Sequence, residues 1–496
     1  MSLPTDHAAL AARYDAIPYA ALPHPLTHPD RLATVATLLG MSPAPVAQCR
    51  VLEVGCSDGS NLIPMADALP GACFVGCDIS PVALARGRAT IAALGLPNIA
   101  LVAEDLAALS PAHGDFDYVI AHGVYSWVPA AVRDGLFALA ARRLAPNGVM
   151  FVSYNALPGC RVRQATWDVL HWHVDTIADP RARLAAARTL AALIGAGGNT
   201  LHEADEAVRA EFRAIAQSSD SELCHDTLAV PNDPVYFHEF AAHAARHGLA
   251  YLAEAELRTM STAGLTPEAR AFLSSVDPQA REQYLDFVRL RRFRQSLLRR
   301  SEAPVDTSGR PERIGAMHAS TDAALLRAAN EGKVGELARG LDPAGGSHGP
   351  IRAVLDRLVQ DTPAACAVAA LRELVGARAP SQHLEAILTN AQVSGIVNLH
   401  VQPPALVRHA GARPVASALA RYEASRQEDL TCRLHARVPL PDANARQLLT
   451  LLDGTRDRAG LAAAMVGPAF AVQPDMRSRF VAHALEQFGR MALLVG

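Results

Sequence analysis

The chain has 496 residues, more than one hydrophobic core usually spans, so a single small module is excluded and two to four domains are expected. Half of the residues are hydrophobic and only 5% are aromatic, which favours helices packed through small side chains. The 46 basic and 49 acidic residues leave a net charge of -3, so no global field draws the protein to nucleic acid or to an anionic membrane.

The amino terminus, residues 1–14, lacks the basic start, apolar core and cleavage site of a signal peptide. No apolar run reaches the roughly 18 residues of a membrane-spanning helix. We therefore expect a cytoplasmic protein with no membrane partner. The eight cysteines are scattered and neither CxxC nor HExxH occurs, so the sequence predicts no metal site.

Short β-branched runs alternate with helical segments in the first third of the chain, which is the order of a doubly wound parallel sheet. The five predicted strands are residues 49–56, 72–79, 98–105, 116–124 and 148–155. Ser80 and Pro81 start a helix, and Gly95 ends it. The predicted fold class is α/β, with a Rossmann-like domain followed by mainly helical domains.

The β pattern stops after Gly159. Residues 161–194 predict one long helix, and residues 203–298 are again mostly helical. The basic run 289–300 is interpreted as a solvated helix face, with docking of an acidic protein as the alternative. The predicted domains are 1–160 with an N-terminal arm, a helical regulatory or dimerisation region 161–305, and a mainly helical C-terminal domain 316–496, after a polar linker.

The strongest motif is VLEVGCSDGSN, residues 51–61, where an apolar strand opens into a glycine-bearing turn and then a helix. Gly55 and Gly59 allow the backbone to pass close to a ligand or to adopt positive φ. Ser57 stands where many such loops have another glycine. An ordinary strand-to-helix turn is the alternative, because short glycine patterns also occur by accident.

Two acids follow at strand ends. Asp78 comes about 20 residues after the loop, where a carboxylate accepts both ribose hydroxyls. Alternatively, Asp78 only stabilises the start of the following helix, although Ser80 already fills the capping position. Asp105 would accept the adenine amino group while the Leu106 N–H faces the ring. A dinucleotide also fits this geometry, but Glu53 in ExGxSxG differs from the GxGxxG of nicotinamide sites and complements a positively charged sulfonium cofactor.

This pattern resembles the class I S-adenosylmethionine-dependent methyltransferases over residues 45–160. The resemblance implies S-adenosylmethionine as the cofactor. It carries the family's cofactor residues onto Glu53, Gly55, Ser57, Gly59, Asp78 and Asp105, with His122 and Gly123 beside the methionine portion. The predicted cofactor-binding set also includes Asn61, Ile79 and Leu106.

A narrower resemblance rests on segments along most of the chain. They are residues 14–19, 27–32, 122–129, 153–159, 223–240, 247–257 and 291–298. These segments resemble bacterial methyltransferases that carry a methyltransferase regulatory domain. That group includes lysine methyltransferases of outer-membrane proteins, and it typically places helical domains and a winged-helix-like region after the catalytic domain.

The loop HGVYSW, residues 122–127, follows the fourth strand at the edge where the transferable methyl must point. Methyl transfer needs alignment, exclusion of water and a neutral nucleophile. An aromatic, oxygen-lined passage would hold an amine by cation–π contacts. The predicted catalytic residues are Tyr125, Trp127, Tyr154, Asn155 and His122. Trp127 and Tyr154 are alternatively core aromatics, and the proton acceptor is left open among His122, Tyr125 and water.

The proline-rich arm, residues 14–28, is predicted to be extended and either to close over the cofactor or to pack on the outer helices. The resemblance predicts methylation of lysine side chains of a protein. A small-molecule N- or O-methyltransferase and a non-catalytic S-adenosylmethionine-binding protein are the alternatives, and a homodimer is left open. All strand-end features precede Gly159, so later residues are predicted to be dispensable for cofactor binding.

Overall fold

A computed structural model gives the fold of the chain. It describes residues 17, 19, 22–104, 106, 109–197, 203–306, 308, 310–342, 347–376, 381–466 and 474–496. Within these ranges no helix combines the length and the apolar character needed to cross a bilayer.

A seven-stranded sheet forms the centre of the N-terminal half. Its strands are β1 Arg50–Val54, β2 Cys73–Cys77, β3 Ile99–Val102, β4 Phe116–Ala121, β5 Leu144–Asn155, β6 Leu249–Glu254 and β7 Phe293–Arg300. The order is β3-β2-β1-β4-β5-β7-β6, with β1 to β5 parallel and β7 antiparallel to both neighbours. The predicted α/β class and the five predicted strands are confirmed. The order reverses between β1 and β4, which is where ligands bind in such sheets.

Helices cover both faces of this sheet. In the first third they are α1 Pro29–Leu38, α2 Leu62–Ala68, α3 Pro81–Leu94 and α4 Ala130–Arg143. The Ser80 hydroxyl caps α3 by accepting the Ala83 N–H at 3.1 Å, and Gly95 ends α3 with φ 64°. Val51 and Leu52 point to opposite faces and belong to separate hydrophobic cores.

The middle of the chain contains the helices α5 Cys160–Val174, α6 Pro180–Ala196, α7 Glu203–Gln217, α8 Phe237–Arg246, α9 Pro267–Ser275 and α10 Pro278–Arg289. The prediction of one long helix over residues 161–194 is wrong, because Asp179 caps a new helix at Pro180. The prediction that residues 203–298 are mostly helical missed β6 and the start of β7, which join the central sheet.

The interpretation of residues 289–300 as a solvated helix face is also wrong. Arg294, in β7, is 1% exposed. Its guanidinium donates to Glu254 Oε1 at 2.6 Å and to both carboxylate oxygens of Asp286 at 2.9 Å. The acids that neutralise Arg294 therefore lie inside the protein, on β6 and α10.

The C-terminal part has two further cores. The first surrounds the sheet β10-β8-β9, with β8 His318–Thr321, β9 Cys366–Ala367 and β10 Val397–His400. Its helices are α11 Ala323–Asn330, α12 Val334–Leu341, α13 His348–Asp361, α14 Val368–Val375 and α15 Ser381–Val393. The second core lies between residues 416 and 494.

In the described residues, the second core is formed by four helices and a two-stranded hairpin, the elements expected of the predicted winged-helix-like end, and we refer to them as the winged-helix region. Its elements are α16 Ala418–Ser425, the hairpin β11 Leu430–Cys432 and β12 Ala436–Val438, α17 Ala443–Thr450, α18 Arg458–Ala464 and α19 Pro474–Arg490. Leu419 of α16 packs into the core of the N-terminal sheet. The C-terminal region is therefore in direct contact with the N-terminal domain.

Candidate active site

The loop after β1 turns through three residues with positive φ. Gly55, Ser57 and Gly59 have φ values of 72°, 50° and 75°. A Cβ on Gly55 would lie 2.8 Å from Cγ2 of Val124, so glycine fits there without movement of its neighbour. Ser57 adopts a conformation that favours glycine, in agreement with its position in the motif. The backbone here has the tight shape that close approach of a nucleoside requires.

Asp78, just after β2, holds this loop. Its Oδ2 accepts the Ser57 N–H at 2.7 Å, and its Oδ1 accepts the Ser80 N–H at 2.8 Å. Burial raises the pKa of Asp78, while these backbone hydrogen bonds favour its charged form. Each carboxylate oxygen retains a further lone pair, so a ribose hydroxyl can be accepted without loss of the loop contacts.

Glu53 lies under the loop and is 4% exposed. Its Oε1 accepts a hydrogen bond from Asn61 Nδ2 at 2.7 Å, whereas its Oε2 is buried with no hydrogen-bond partner in the described part of the chain. Burial raises the pKa of Glu53 to about 8, and the carboxylates of Asp78 and Asp58 act in the same direction. A buried oxygen without a partner is costly, so this atom suits a cationic ligand group such as the methionine ammonium of S-adenosylmethionine.

The N-terminal arm runs along the same edge. The ring of His24 stacks on His122, with centroids 3.7 Å apart, and the His24 N–H donates to Asn61 Oδ1 at 2.9 Å. Further back, His225 Nε2 donates to the Ile17 carbonyl at 2.7 Å. The His24 end of the arm therefore lies at the edge where the cofactor is expected, which is the first of the two predicted placements, whereas Ile17 packs against the helices of the middle region, which is the second.

Four histidine rings surround this corner of the pocket, namely His24, His28, His122 and His435. Burial lowers the pKa of His122 to about 3 and of His28 to about 4, and it also lowers the pKa of His24 and His435. All four rings are neutral at pH 7. A cationic ligand at this corner would therefore meet no positive charge on these four rings.

Tyr125 and Tyr154 lie in the core, at the loop of residues 122–127 and at the end of β5. The Tyr125 hydroxyl bonds to His243 Nδ1 at 2.9 Å, and the Tyr154 hydroxyl bonds to Ser296 Oγ at 3.2 Å. Both rings pack on Phe240. Burial raises the pKa of Tyr125 to about 12. Both hydroxyls thus have internal partners, and their catalytic assignment stays a prediction.

Trp127 and Asn155 have different surroundings. Trp127 is partly exposed, and its indole N–H is buried without an acceptor among the described residues. Asn155 is buried, and its Nδ2 donates to Asn232 Oδ1 at 2.8 Å, while its backbone N–H donates to Ser126 Oγ at 2.9 Å. Asn232 comes from the middle region of the chain, which therefore helps to hold the predicted site residue Asn155 in place.

The remaining predicted cofactor residues lie around this edge. Gly123 has φ 69°, and its N–H donates to Ser153 Oγ at 2.9 Å. Ile79 follows β2 and is half-buried, as is Leu106. Asp105 lies outside the described residues. The structure thus brings Glu53, Asn61, Asp78, His122 and the glycine loop together.

A group of possible metal ligands lies behind Tyr125. Asp134 Oδ1 accepts hydrogen bonds from Nε2 of His243 at 2.8 Å and of His247 at 3.4 Å, and the three ligand atoms lie within 4.8 Å of one another. The sequence offered no sign of this group, because Asp134 is more than 100 residues from both histidines. The expectation of no metal stays a prediction.

Two residues beside the pocket were missed by sequence reasoning. Thr27 exchanges hydrogen bonds with Asn61, and His435 Nε2 donates to Asn61 Oδ1 at 2.8 Å. Thr27 lies within a segment that the family resemblance singled out. His435 had no local signal at all, because it is 374 residues from Asn61.

Three family models match the chain. They are a methyltransferase domain over residues 51–148, a predicted methyltransferase regulatory domain over residues 219–300, and a PKMT C-terminal winged helix domain over residues 412–473. An uncharacterized protein of Rickettsia prowazekii is 31% identical over 234 residues, which are 47% of this chain and 94% of that relative. The chain belongs to the S-adenosylmethionine-dependent methyltransferases that carry a methyltransferase regulatory domain.

A second uncharacterized protein of Rickettsia prowazekii is 38% identical to this methyltransferase over 290 residues, which are 58% of the chain. The match spans 52% of that relative, about half of its length. Among solved structures, PKMT2 from Rickettsia typhi is similar with a TM-score of 0.81 and 24% identity, covering 97% of this methyltransferase and 100% of that chain. A structure of PKMT2 in complex with AdoHcy is similar to the same extent, and at this identity the likeness shows a shared fold.

Proposed function

We propose that this methyltransferase transfers the methyl group of S-adenosylmethionine to the side-chain amine of lysine in a protein substrate. The observation that carries the acceptor class is the match of residues 412–473 to the winged-helix domain of PKMT, an abbreviation of protein lysine methyltransferase. The fold likeness to PKMT2, which extends over 97% of the chain, supports the same class.

At the cofactor end, we assign Glu53 and Asp78 to different parts of S-adenosylmethionine. The unpaired Glu53 Oε2 would hold the methionine ammonium, and Asp78 would accept the ribose hydroxyls while it keeps the loop in place. When bound, S-adenosylmethionine supplies a methyl group on a positively charged sulfur, which a neutral amine can displace in line. The neutral rings of His24 and His122 close this part of the pocket without adding charge.

At the acceptor end, Trp127 is the residue best suited to align the amine. It follows β4 at the carboxyl edge of the sheet, and it is partly exposed where Tyr125 and Tyr154 are buried. Its ring face can hold a lysine ammonium by a cation–π contact before the proton leaves. We propose that Tyr125 and Tyr154 support this wall from behind, with no direct contact to the acceptor.

The proton of the lysine ammonium must leave before transfer. The pKa of His122 is about 3, so this ring is a poor proton acceptor near neutral pH. The Tyr125 hydroxyl is bonded to His243. We therefore propose that water, the third candidate, accepts the proton of the lysine ammonium.

Label transfer tests this function. Purified protein is incubated with methyl-labelled S-adenosylmethionine and fractionated bacterial proteins, and labelled residues are identified after hydrolysis. We expect methylated lysine. Trp127→Ala should lose at least tenfold in transfer rate with nearly unchanged affinity for S-adenosylhomocysteine, whereas Trp172→Ala, at a site 83% exposed on α5, should lose neither.

Two results would count against the proposal. Label found only in small molecules would favour the small-molecule alternative. Equal losses of transfer and cofactor affinity in Trp127→Ala would make this residue part of the protein core.

A further inference from the structure

The hairpin β11–β12 of the winged-helix region brings its turn, residues 433–435, against the cofactor pocket. His435 has φ 58° and is 5% exposed. Its Nε2 lies 2.8 Å from Asn61 Oδ1. Because Asn61 Nδ2 donates to Glu53, the Asn61 oxygen must be an acceptor, so the ring of His435 is the donor. A chain of hydrogen bonds thus runs from His435 through Asn61 to the carboxylate proposed to bind the cofactor.

The same turn is fixed to the N-terminal domain by an ion pair. Arg433 Nη1 lies 3.1 Å from Asp67 Oδ2, and Arg433 Nη2 donates to the Ala68 carbonyl at 3.4 Å. Asp67 and Ala68 end α2, the helix that begins directly after Asn61. The two charged side chains are 9% and 11% exposed, so water screens this pair weakly.

The hairpin is held equally firmly on its other side. Glu423 of α16 accepts hydrogen bonds from Thr431 Oγ1 at 2.7 Å and from Arg437 at 3.0 Å. Leu419 of the same helix packs into the core of the central sheet. The position of His435 therefore depends on how the whole winged-helix region docks.

We infer that docking of the winged-helix region completes the cofactor pocket, with His435 as a positioning residue that orients Asn61 and, through it, Glu53. This inference rests on the proposed role of Glu53 in cofactor binding. It argues against the prediction that residues after Gly159 are dispensable for that binding. Cofactor occupancy and docking are then linked, and each favours the other by the same factor.

Calorimetric titration of the full-length protein with S-adenosylhomocysteine tests this link. We expect His435→Ala to weaken affinity tenfold or more. His435→Gln retains an N–H donor at similar reach and should recover most of the affinity. His483→Ala, which replaces an exposed histidine on α19 of the same region, is the matched control and should bind as the wild type. Thermal unfolding of each variant, measured in parallel, identifies any that fail to fold.

Amide hydrogen exchange of the wild-type protein, with and without ligand, is a second test. S-adenosylhomocysteine should slow exchange in residues 430–438 as well as in residues 51–61. Equal affinity in His435→Ala and wild type, an equal loss in His435→Gln, or a hairpin unaffected by the ligand would overturn the inference. If the wild type itself does not bind S-adenosylhomocysteine, the proposed function fails first.

Discussion

Two sites with buried carboxylates, both beside the central sheet, differ in how their carboxylates are paired. Beside β6 and β7, all three nitrogens of the Arg294 guanidinium donate to Glu254, Asp286 and Glu282. At the end of β1, Glu53 is equally buried, but it has the amide of Asn61 and no cation beside it, and one of its oxygens has no partner among the described residues.

We interpret this difference as the difference between a structural ion-pair group and the proposed ligand site at Glu53. A paired buried ion stabilises the fold only while the pairing is complete, because loss of one partner leaves the other charged and dry. An unpaired buried carboxylate costs free energy in the free protein, and a cationic ligand removes that cost. Both groups are buried, so burial alone would not distinguish them.

Removal of Arg294 should have the largest effect. Arg294→Met should lower the free energy of unfolding by about 3–5 kcal/mol, because the buried carboxylates Glu254, Glu282 and Asp286 then share Arg291 as their one remaining cation among the described residues. Denaturant unfolding measures this. Arg292→Ala, which removes a half-exposed ion pair with Glu211 at the start of the same segment, should cost no more than about 1 kcal/mol. Similar values for the two variants would contradict the structural role of the buried group.

Asp78 should matter more for ligand affinity than for folding. Asp78→Asn retains one loop acceptor but loses the charge, and it should weaken S-adenosylhomocysteine binding by roughly 1–3 kcal/mol in calorimetry. Asp117→Asn is a suitable control, because this carboxylate accepts the Arg50 N–H at the opposite edge of the sheet. The ribose role would be disproved by a folded Asp78→Asn protein with wild-type affinity.

In the ligand-free protein, Glu53 should lower the free energy of unfolding as pH rises, whereas Arg294 stabilises the folded protein. The pKa of Glu53 is about 8 in the folded protein, which is above its value in the unfolded chain. At a pH between these two values, the unfolded chain has released the proton and the folded protein still holds it. The free energy of unfolding therefore falls as pH rises. Glu53→Gln has no ionisable group at this position, so its free energy of unfolding should not show this decrease. The stability of the variant relative to the wild type should therefore increase by about 3–4 kcal/mol from pH 5 to pH 8. A pH-independent difference in denaturant unfolding would argue against the raised pKa.

The two buried tyrosines should give the smallest effects. Tyr125→Phe removes a hydrogen bond to His243, and Tyr154→Phe removes one to Ser296, so each should cost about 0.5–1.5 kcal/mol of stability. Methyl transfer should stay close to wild type at a temperature where the variants are folded. A loss of a hundredfold or more in turnover would restore their predicted catalytic roles.

The parallel strands and the glycine loop were predictable because their signals are local. Gly55, Gly59 and Asp78 are marked by short motifs at strand ends. β7 was not predictable from its own residues, since a basic run indicates an exposed surface unless its partners are known. Glu254 and Asp286, which neutralise Arg294, lie 40 and 8 residues earlier in the sequence.

In the pocket, too, contacts between residues far apart in the sequence were not predictable from local motifs. Glu53 and Asn61 stand in the motif, whereas His24 and His435 reach them from the arm and from the far end of the chain. Likewise, Tyr125 and Tyr154 have the residue types of an acceptor site, yet their side chains point into a shared aromatic core. Only tertiary packing decides such cases.

The most direct test is calorimetry of S-adenosylhomocysteine binding to wild type and Glu53→Gln between pH 6 and pH 9, in buffers of different ionisation enthalpy. A ligand ammonium beside Glu53 favours the carboxylate, so wild-type affinity should rise with pH up to about 8 and binding at pH 7 should release a proton. Glu53→Gln should bind at least tenfold more weakly at pH 8 and lose this proton release. Equal affinities and equal proton release in the two proteins would contradict the account.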